Sequence, residues 1–553
     1  MAWRLAPALA AALVAVAFLI TGAGGGDLAA HVFRAELFDR EGFTLWNGAW
    51  YGGHHAVAYS VLFPPLAGLL GARLAGALAA VAAAALFEPL ARRHFGEGAG
   101  VRLGTIWFGL GAGGMLFAGR LPFMLGVAVG LGALLALQRR RTALALALAA
   151  ICSLASPIAG LFLALAGAAL ALSRLGSGDR AGDRERVPSW LGASLAACAL
   201  GPALALALVF PEGGHQPFTL SPLAAAIPAI AIVAVVILPP SERALRIGAA
   251  LYAAGVVAAL VLETPVGSNS LRVAELFAGP VLACALLGRP ANATAERSRP
   301  ARALSRARWL RPALAAAVLA PLLWWSFWPA ARDIVNAADD PAFERSYYEP
   351  LDAFLERQGE PRWRVEIPFT KAHFEAAEIA PERPLARGWQ RQLDAKHNEL
   401  FYADETLDHA PYERWLRENG VRFVAVADAE ADFSAKDELD LVRSRRARDY
   451  LRPVWSSAHW RVYEVVGPRP IVVPERRARI SLDRLGPDFA ALRVERPGSA
   501  LVRVRWSPYW RTRGGCVERA GDWTRVSSDR PGSLLLEQSF APGRVIDRGR
   551  RCG

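Results

Sequence analysis

Leu121-Pro-Phe-Met-Leu-Gly-Val-Ala-Val-Gly-Leu-Gly-Ala-Leu-Leu-Ala-Leu-Gln138 runs for 18 residues without a charge, and Arg139-Arg-Arg141 ends it. A run of that length and composition is what a helix needs to cross the hydrocarbon core of a bilayer, and a basic block at its end marks the cytoplasmic side. Working outward, comparable runs rich in Ala, Leu, Val and Gly recur up to about Ala330. They read as helices at 5–21, 74–91, 103–119, 121–138, 142–154, 157–173, 189–210, 221–239, 247–263, 273–288 and 313–328, about eleven crossings in all. The predicted fold class is therefore a polytopic α-helical membrane protein, with a transmembrane domain over 1–330.

Loop charge settles two stretches of ambiguous length. Two crossings within 56–91 would place Arg92-Arg93 and Arg139–Arg141 outside, so 59–70 is read as an interfacial or re-entrant helix followed by one crossing. Residues 142–173 must cross twice, turning at Ala155-Ser156-Pro157, or the Arg-rich 289–311 loop would be exported. With these choices 20 Arg fall in cytoplasmic segments and only Arg34, Arg40, Arg73, Arg120 and Arg272 outside. The N-terminus is then cytoplasmic and everything after Ala330 extracytoplasmic. Residues 1–26 also have the pattern of a cleaved signal peptide; we read them as an anchor.

The formal charge of +13 in 553 residues invites a polyanion partner, and its location argues against one. Residues 331–553 hold 38 basic against 36 acidic side chains, while the apolar part holds 25 against 14. The excess thus lies in loops, where it reports orientation and excludes a nucleic-acid reading. Asn292-Ala-Thr294 has glycosylation spacing but falls in a predicted cytoplasmic loop. Cys152, Cys198 and Cys284 lie in apolar runs; Cys516 and Cys552 lie in the charged part, where an oxidising compartment would pair them as a disulfide.

Beyond Ala330, 331–468 alternates helical stretches (348–356, 412–419) with strand-like ones (363–369, 421–427), an α/β domain. Residues 469–553 read as short strands such as 500–506 between Pro, Gly and Asp turns, a small β-sandwich.

The chemistry-bearing stretch is the first external loop, Gly24-Gly-Gly-Asp27-Leu-Ala-Ala-His31, then Leu45-Trp-Asn-Gly-Ala-Trp50-Tyr51-Gly-Gly-His54-His55. Asp27 and His31 stand four apart, so a helix there presents both on one face. A carboxylate beside an imidazole can serve as general base or metal ligand; a helix cap and a solvated histidine are the plainer alternative. Trp50 and Tyr51 suit stacking on sugar faces and equally anchoring at the bilayer interface. Gly52-Gly53 allows close approach of backbone to a ligand, or a plain turn.

This loop, with Tyr59-Ser-Val-Leu-Phe-Pro-Pro65 behind it, resembles the C-type (GT-C) membrane glycosyltransferase superfamily, and within it actinobacterial-type polytopic membrane proteins. The resemblance covers the whole chain in architecture and only short stretches in motif. It implies an inverting enzyme in a bacterial cell membrane that moves a sugar from a polyprenyl-phosphate donor to an extracytoplasmic glycan, lipid or protein acceptor. Asp27 matches the acidic position of the first external loop and would be the catalytic carboxylate. Many members carry an acidic pair there; Asp27 has no acidic neighbour, which leaves dependence on a divalent metal, Mg or Mn, open. Arg120, in Gly119-Arg-Leu-Pro122, and Arg272, in Gly267-Ser-Asn269-Ser-Leu-Arg272, would stabilise the departing phosphate through their planar donors, with Asn269 beside them; snorkelling to the interface is the alternative. His31, Trp50, Tyr51, His54 and His55 would complete substrate binding. Trp506, Tyr509 and Trp510 would offer the acceptor an aromatic face, unless they are the core of the β domain. Two rivals stay in view: a transporter or translocator of lipid-linked sugar, against which stands the lack of an evident inverted repeat, and a non-catalytic assembly or glycan-binding protein.

Overall fold

The structure is a computed structural model describing residues 2–175, 188–218, 222–287, 310–360, 362–403, 406–540 and 551–552. Most of the cytoplasmic loops predicted at 174–187 and 289–311, Asn292 included, lie outside the described residues. The chain divides into two compact units: 1–28, 59–211 and 215–338 form the first, and 29–58, 212–214 and 339–553 the second.

Among the described residues each stretch read as a span falls on a helix, with ends shifted by a few residues. In the first unit α1 (Ala6–Thr21) precedes α2 (Asp27–Glu41), of which only the first two residues belong here. Then follow α3 (Phe63–Leu70), α4 (Ala72–Phe95), α5 (Ala99–Phe117), α6 (Leu121–Gln138), α7 (Thr142–Ala155), α8 (Pro157–Leu172), α9 (Ser189–Val209), α10 (Pro222–Ile237), α11 (Arg243–Val261), α12 (Gly279–Leu287) and α13 (Leu310–Ala338). Among the described residues five helical stretches are long and apolar enough to cross a membrane: α4, α6, α9, α11 and the composite 267–287. Three more, α1, α7 and α8, are apolar but shorter.

Local chemistry explains the breaks. Ser156 stops α7 and starts α8, its hydroxyl accepting from the Ala159 N–H and Pro157 filling the first helical turn, where a missing N–H costs nothing. Gly71 separates α3 from α4, so 59–91 contains one short helix and one long one. Packing is helix on helix, α4 against α1, α5 and α6, α8 against α9, and α5 against α12 and α13.

Among the described residues the second unit carries three four-stranded sheets and one short two-stranded hairpin. Arg364–Glu366, Val421–Ala427, Leu451–Ser456 and Trp460–Val465 form a mixed sheet, the first two strands parallel, with helices Arg345–Glu356 and His409–Glu418 in the same stretch of chain. Two antiparallel four-stranded sheets follow, built from Val472–Pro474 through Gly532–Gln538. Alternating residues of both bury a common core around Ile480, Leu492, Val502, Trp510, Val526 and Leu536. A disulfide joins Cys516 to Cys552, Cα atoms 5.1 Å apart.

One assignment changes. Residues 29–58, read as a loop of the membrane domain, fold with the second unit, so the compact units do not divide at 330. Their short hairpin pairs Trp46 with His55 and Asn47 with His54, and Trp46 is part of the β-sheet core, edge-on to Trp510 at 5.4 Å. The α/β and β pieces also interlock: Ile471 N–H donates to Arg362 O, and Arg503 Nε to Glu418 O.

Candidate functional site

At one end of the helical unit, segments remote in sequence meet. Between α5 and α6 the chain reverses at Gly119, whose φ of +72° is one that glycine adopts without strain. A Cβ there would lie 2.5 Å from the Leu28 nitrogen, so a side chain would push the turn off the start of α2. Gly25 is similarly tight: a Cβ would come 3.1 Å from Asp333 Oδ2. These two glycines let Asp27, the 118–120 turn and the end of α13 close on one another.

Arg272 ends a 3₁₀ turn, Gly267–Leu271, and its Nη2 donates to Asp27 Oδ2 at 3.1 Å. The Arg272 side chain is largely buried, while Asp27 keeps 36% of its side-chain surface exposed. Arg272 also lies 5.9 Å from the centre of the Phe123 ring. Glu275 follows in a π-helical turn, Ala274–Ala278, a local geometry frequent at functional sites. Its buried carboxylate is ion-paired with Arg120, and Ser326 Oγ donates to its backbone oxygen at 2.8 Å. Burial works against the charge of Arg120, yet Glu275 first, with Asp27 and Asp333, outweighs it and holds the guanidinium more firmly charged than usual. Asp333 lies on α13 beyond the predicted span at 313–328; burial raises its pKa despite Arg332 and Arg120 nearby.

The cluster is thus two largely buried guanidiniums, Arg120 and Arg272, facing three carboxylates, Asp27, Glu275 and Asp333. Asn269 belongs to the same turn as Arg272 and is buried. Among the described residues no group of three or more His, Cys, Asp or Glu is arranged to hold a metal ion.

The remaining candidates belong to the second unit, and their geometry replaces the ligand-stacking expectation. Trp50 is fully buried, stacked on Phe33 at 4.3 Å with Arg34 over its ring, and its Nε1 donates to Ala376 O. Tyr51 donates to Gly388 O and accepts from Gln390 N–H. A sugar needs an open ring face, and these rings are enclosed by protein. Gly53 adopts φ +117°, and a Cβ there would meet the Trp46 indole at 2.3 Å, so the close approach is to protein. His31 and His54 are buried, burial pushing His54 down to about 3. His55 Nδ1 lies 2.5 Å from Glu212 Oε1 and its Nε2 lies 3.3 Å from Ser507 Oγ. That row has the order of a hydrolase triad, but Ser507 is fully buried and offers no approach for a substrate. In the sheets, Trp510 is core, Trp506 packs against it, and Tyr509 is partly exposed.

Sequence reasoning gave no role to Asp333, Glu212 or Glu275. An acid in the first turns after the last apolar run, Trp328-Pro-Ala-Ala-Arg-Asp333, is the signal that could have found the first.

Comparison with known protein families finds no match, and no curated protein matches the chain. Solved structures do match, among them the crystal structure of ArnT from Cupriavidus metallidurans bound to undecaprenyl phosphate. The identity is 15% and the TM-score 0.39, over 84% of this chain and 97% of that one. The similarity is distant, and no residue's role is carried across it.

Proposed function

We propose that the chain is a membrane glycosyltransferase that moves a sugar from a polyprenyl-phosphate donor to an extracytoplasmic acceptor. The observation that carries this reading is the meeting of Asp27 and Arg272, with Arg120 and Asp333 in electrostatic range, at one end of a bundle of apolar helices. Sugar transfer from a lipid phosphate needs a base and a guanidinium on either side of one scissile bond. In that step an acceptor hydroxyl attacks the anomeric carbon, forming the new C–O bond as the bond to the phosphate oxygen breaks. The bonding pair leaves on the phosphate, neutralised by Arg272 and Arg120, and the hydroxyl proton passes to Asp27. Inversion at the anomeric carbon follows from a single displacement.

Topology supports the same placement. Residues 29–58, 212–214 and 339–553 fold as one compact unit, which a bilayer cannot divide, so both links and the C-terminal part share one side. Positive-inside asymmetry makes that side the external one. A lipid-linked sugar translocator remains the second reading; the paired Asp27 and Arg272 favour a displacement reaction over it. Glycan and lipid analysis of the cell envelope in a deletion strain tests the proposal: loss of one glycosylated product, with its lipid-linked donor accumulating, supports transfer. Donor trapped on the cytoplasmic leaflet supports translocation.

A further inference from the structure

Resting on the lipid-phosphate reading, we propose that Asp27 occupies, in the free protein, the place on Arg272 that the substrate phosphate takes, so that arrival of the phosphate releases the base. Arg272 is one of the two largely buried guanidiniums of the cluster, and its Nη2 is already bonded to Asp27 Oδ2 at 3.1 Å. Arg120 is likewise engaged, by the buried Glu275. Both guanidiniums are therefore already paired with carboxylates of the protein. A phosphate entering beside Arg272 brings a second anion against Asp27, and the two repel at that range.

The two members of the pair differ in freedom. Asp27 keeps about a third of its side-chain surface exposed and stands at the first residue of α2, whereas Arg272 is 13% exposed and packed near Phe123. The carboxylate is the member free to move, and water at its exposed side compensates it when it leaves. Displaced from Arg272, its Oδ2 turns from the guanidinium to an acceptor hydroxyl. After transfer the product phosphate carries more negative charge than the donor diester, and return of Asp27 to Arg272 helps expel it. The ion pair is thus a competitor for substrate and a timer for the base, which a merely structural bridge would not be.

The test is binding, measured apart from turnover. Full-length protein in lipid nanodiscs is titrated with a short-chain polyprenyl monophosphate, and separately with inorganic phosphate, as wild type, Asp27→Asn, Arg272→Gln and the double variant. Melting curves confirm folding, and Asp27→Ser serves as a second carboxylate-free variant. The expected result is that Asp27→Asn binds the lipid phosphate about tenfold more tightly although it cannot turn over. Arg272→Gln binds more weakly, and the double variant loses the gain. A gain with inorganic phosphate as well identifies the headgroup alone as the competitor; a gain with the lipid only identifies the membrane-borne phosphate. Unchanged or weaker binding by Asp27→Asn overturns the gate and leaves the glycosyltransferase reading standing. No binding of lipid phosphate by any form overturns both.

Discussion

Glu212, on the link between α9 and α10, takes hydrogen bonds on one carboxylate oxygen from both the backbone N–H and the ring of His55, 157 residues earlier in the chain. Burial disfavours its charge, but the His55 bonds and the nearby His54 outweigh that and hold its pKa below the usual range. In a chain whose apolar helices span a membrane, a contact of this kind requires both links to emerge on one side. Reporter insertions near 50 and 213 and a fusion at the C-terminus should all report the external side, and one near 140 the cytoplasm. A reporter at 140 scoring with the C-terminus would contradict the topology.

Gly53 predicts a steric cost. Its φ of +117° and the Trp46 ring 2.3 Å from an added Cβ together oppose any side chain, whereas Gly42, at φ +71°, faces open space. Gly53→Ala should destabilise the second unit by about 2–4 kcal/mol and Gly42→Ala by about 1 kcal/mol. Similar melting temperatures for the two variants would show that the Trp46 contact adjusts without cost.

The helices were the most legible part of the sequence, because an apolar run bounded by charge is a local signal. The break at Ser156 and the strand Val421–Ala427 were local too, marked by Ser-Pro and by the glycine at 420. The first loop was not legible in the same way. Trp46 and Trp50 have the composition of interface anchors, but what buries them is Trp510 and the Ala376 carbonyl, more than 300 residues on. No local pattern encodes a partner at that separation. Asp27 and Arg272 were named from external segments and from the family resemblance those segments carry, while Asp333 was hidden inside a helix that continues past its span.

Buried acids set a pH dependence in the second unit. Glu375 accepts from Thr370 N–H and hydroxyl, and burial pushes its carboxyl up to about 8; burial likewise takes Glu438 up to about 7. A carboxyl whose pKa rises on folding stabilises most below its unfolded value of about 4.3, and that contribution is lost as pH rises through the folded value. The histidines, His54 among them, oppose this at lower pH, so the melting temperature should fall between about pH 6.5 and pH 8, each carboxyl proton contributing up to about 1.4 kcal/mol per pH unit. Glu375→Gln, which keeps an acceptor for Thr370, should flatten the fall; identical slopes would assign the titration to other groups.

The Cys516–Cys552 bridge closes a segment with a sequence separation of 36. Removing it with Cys516→Ser should lower stability by about 2–4 kcal/mol. Reductant should lower the melting temperature of the wild type and leave the variant unchanged. Both thiols reacting with an alkylating agent before reduction, in protein from its native membrane, would contradict the pairing.

The most direct measurement of the central claim is rescue of a deletion strain by Asp27→Asn, read by mass spectrometry of envelope glycans and lipids. Losing a general base costs about 10²–10⁴ in rate, so the variant should restore protein to the membrane without restoring the glycosylated product. Full product from Asp27→Asn, at wild-type protein levels, would contradict the assignment of Asp27 as the base of a glycosyl transfer.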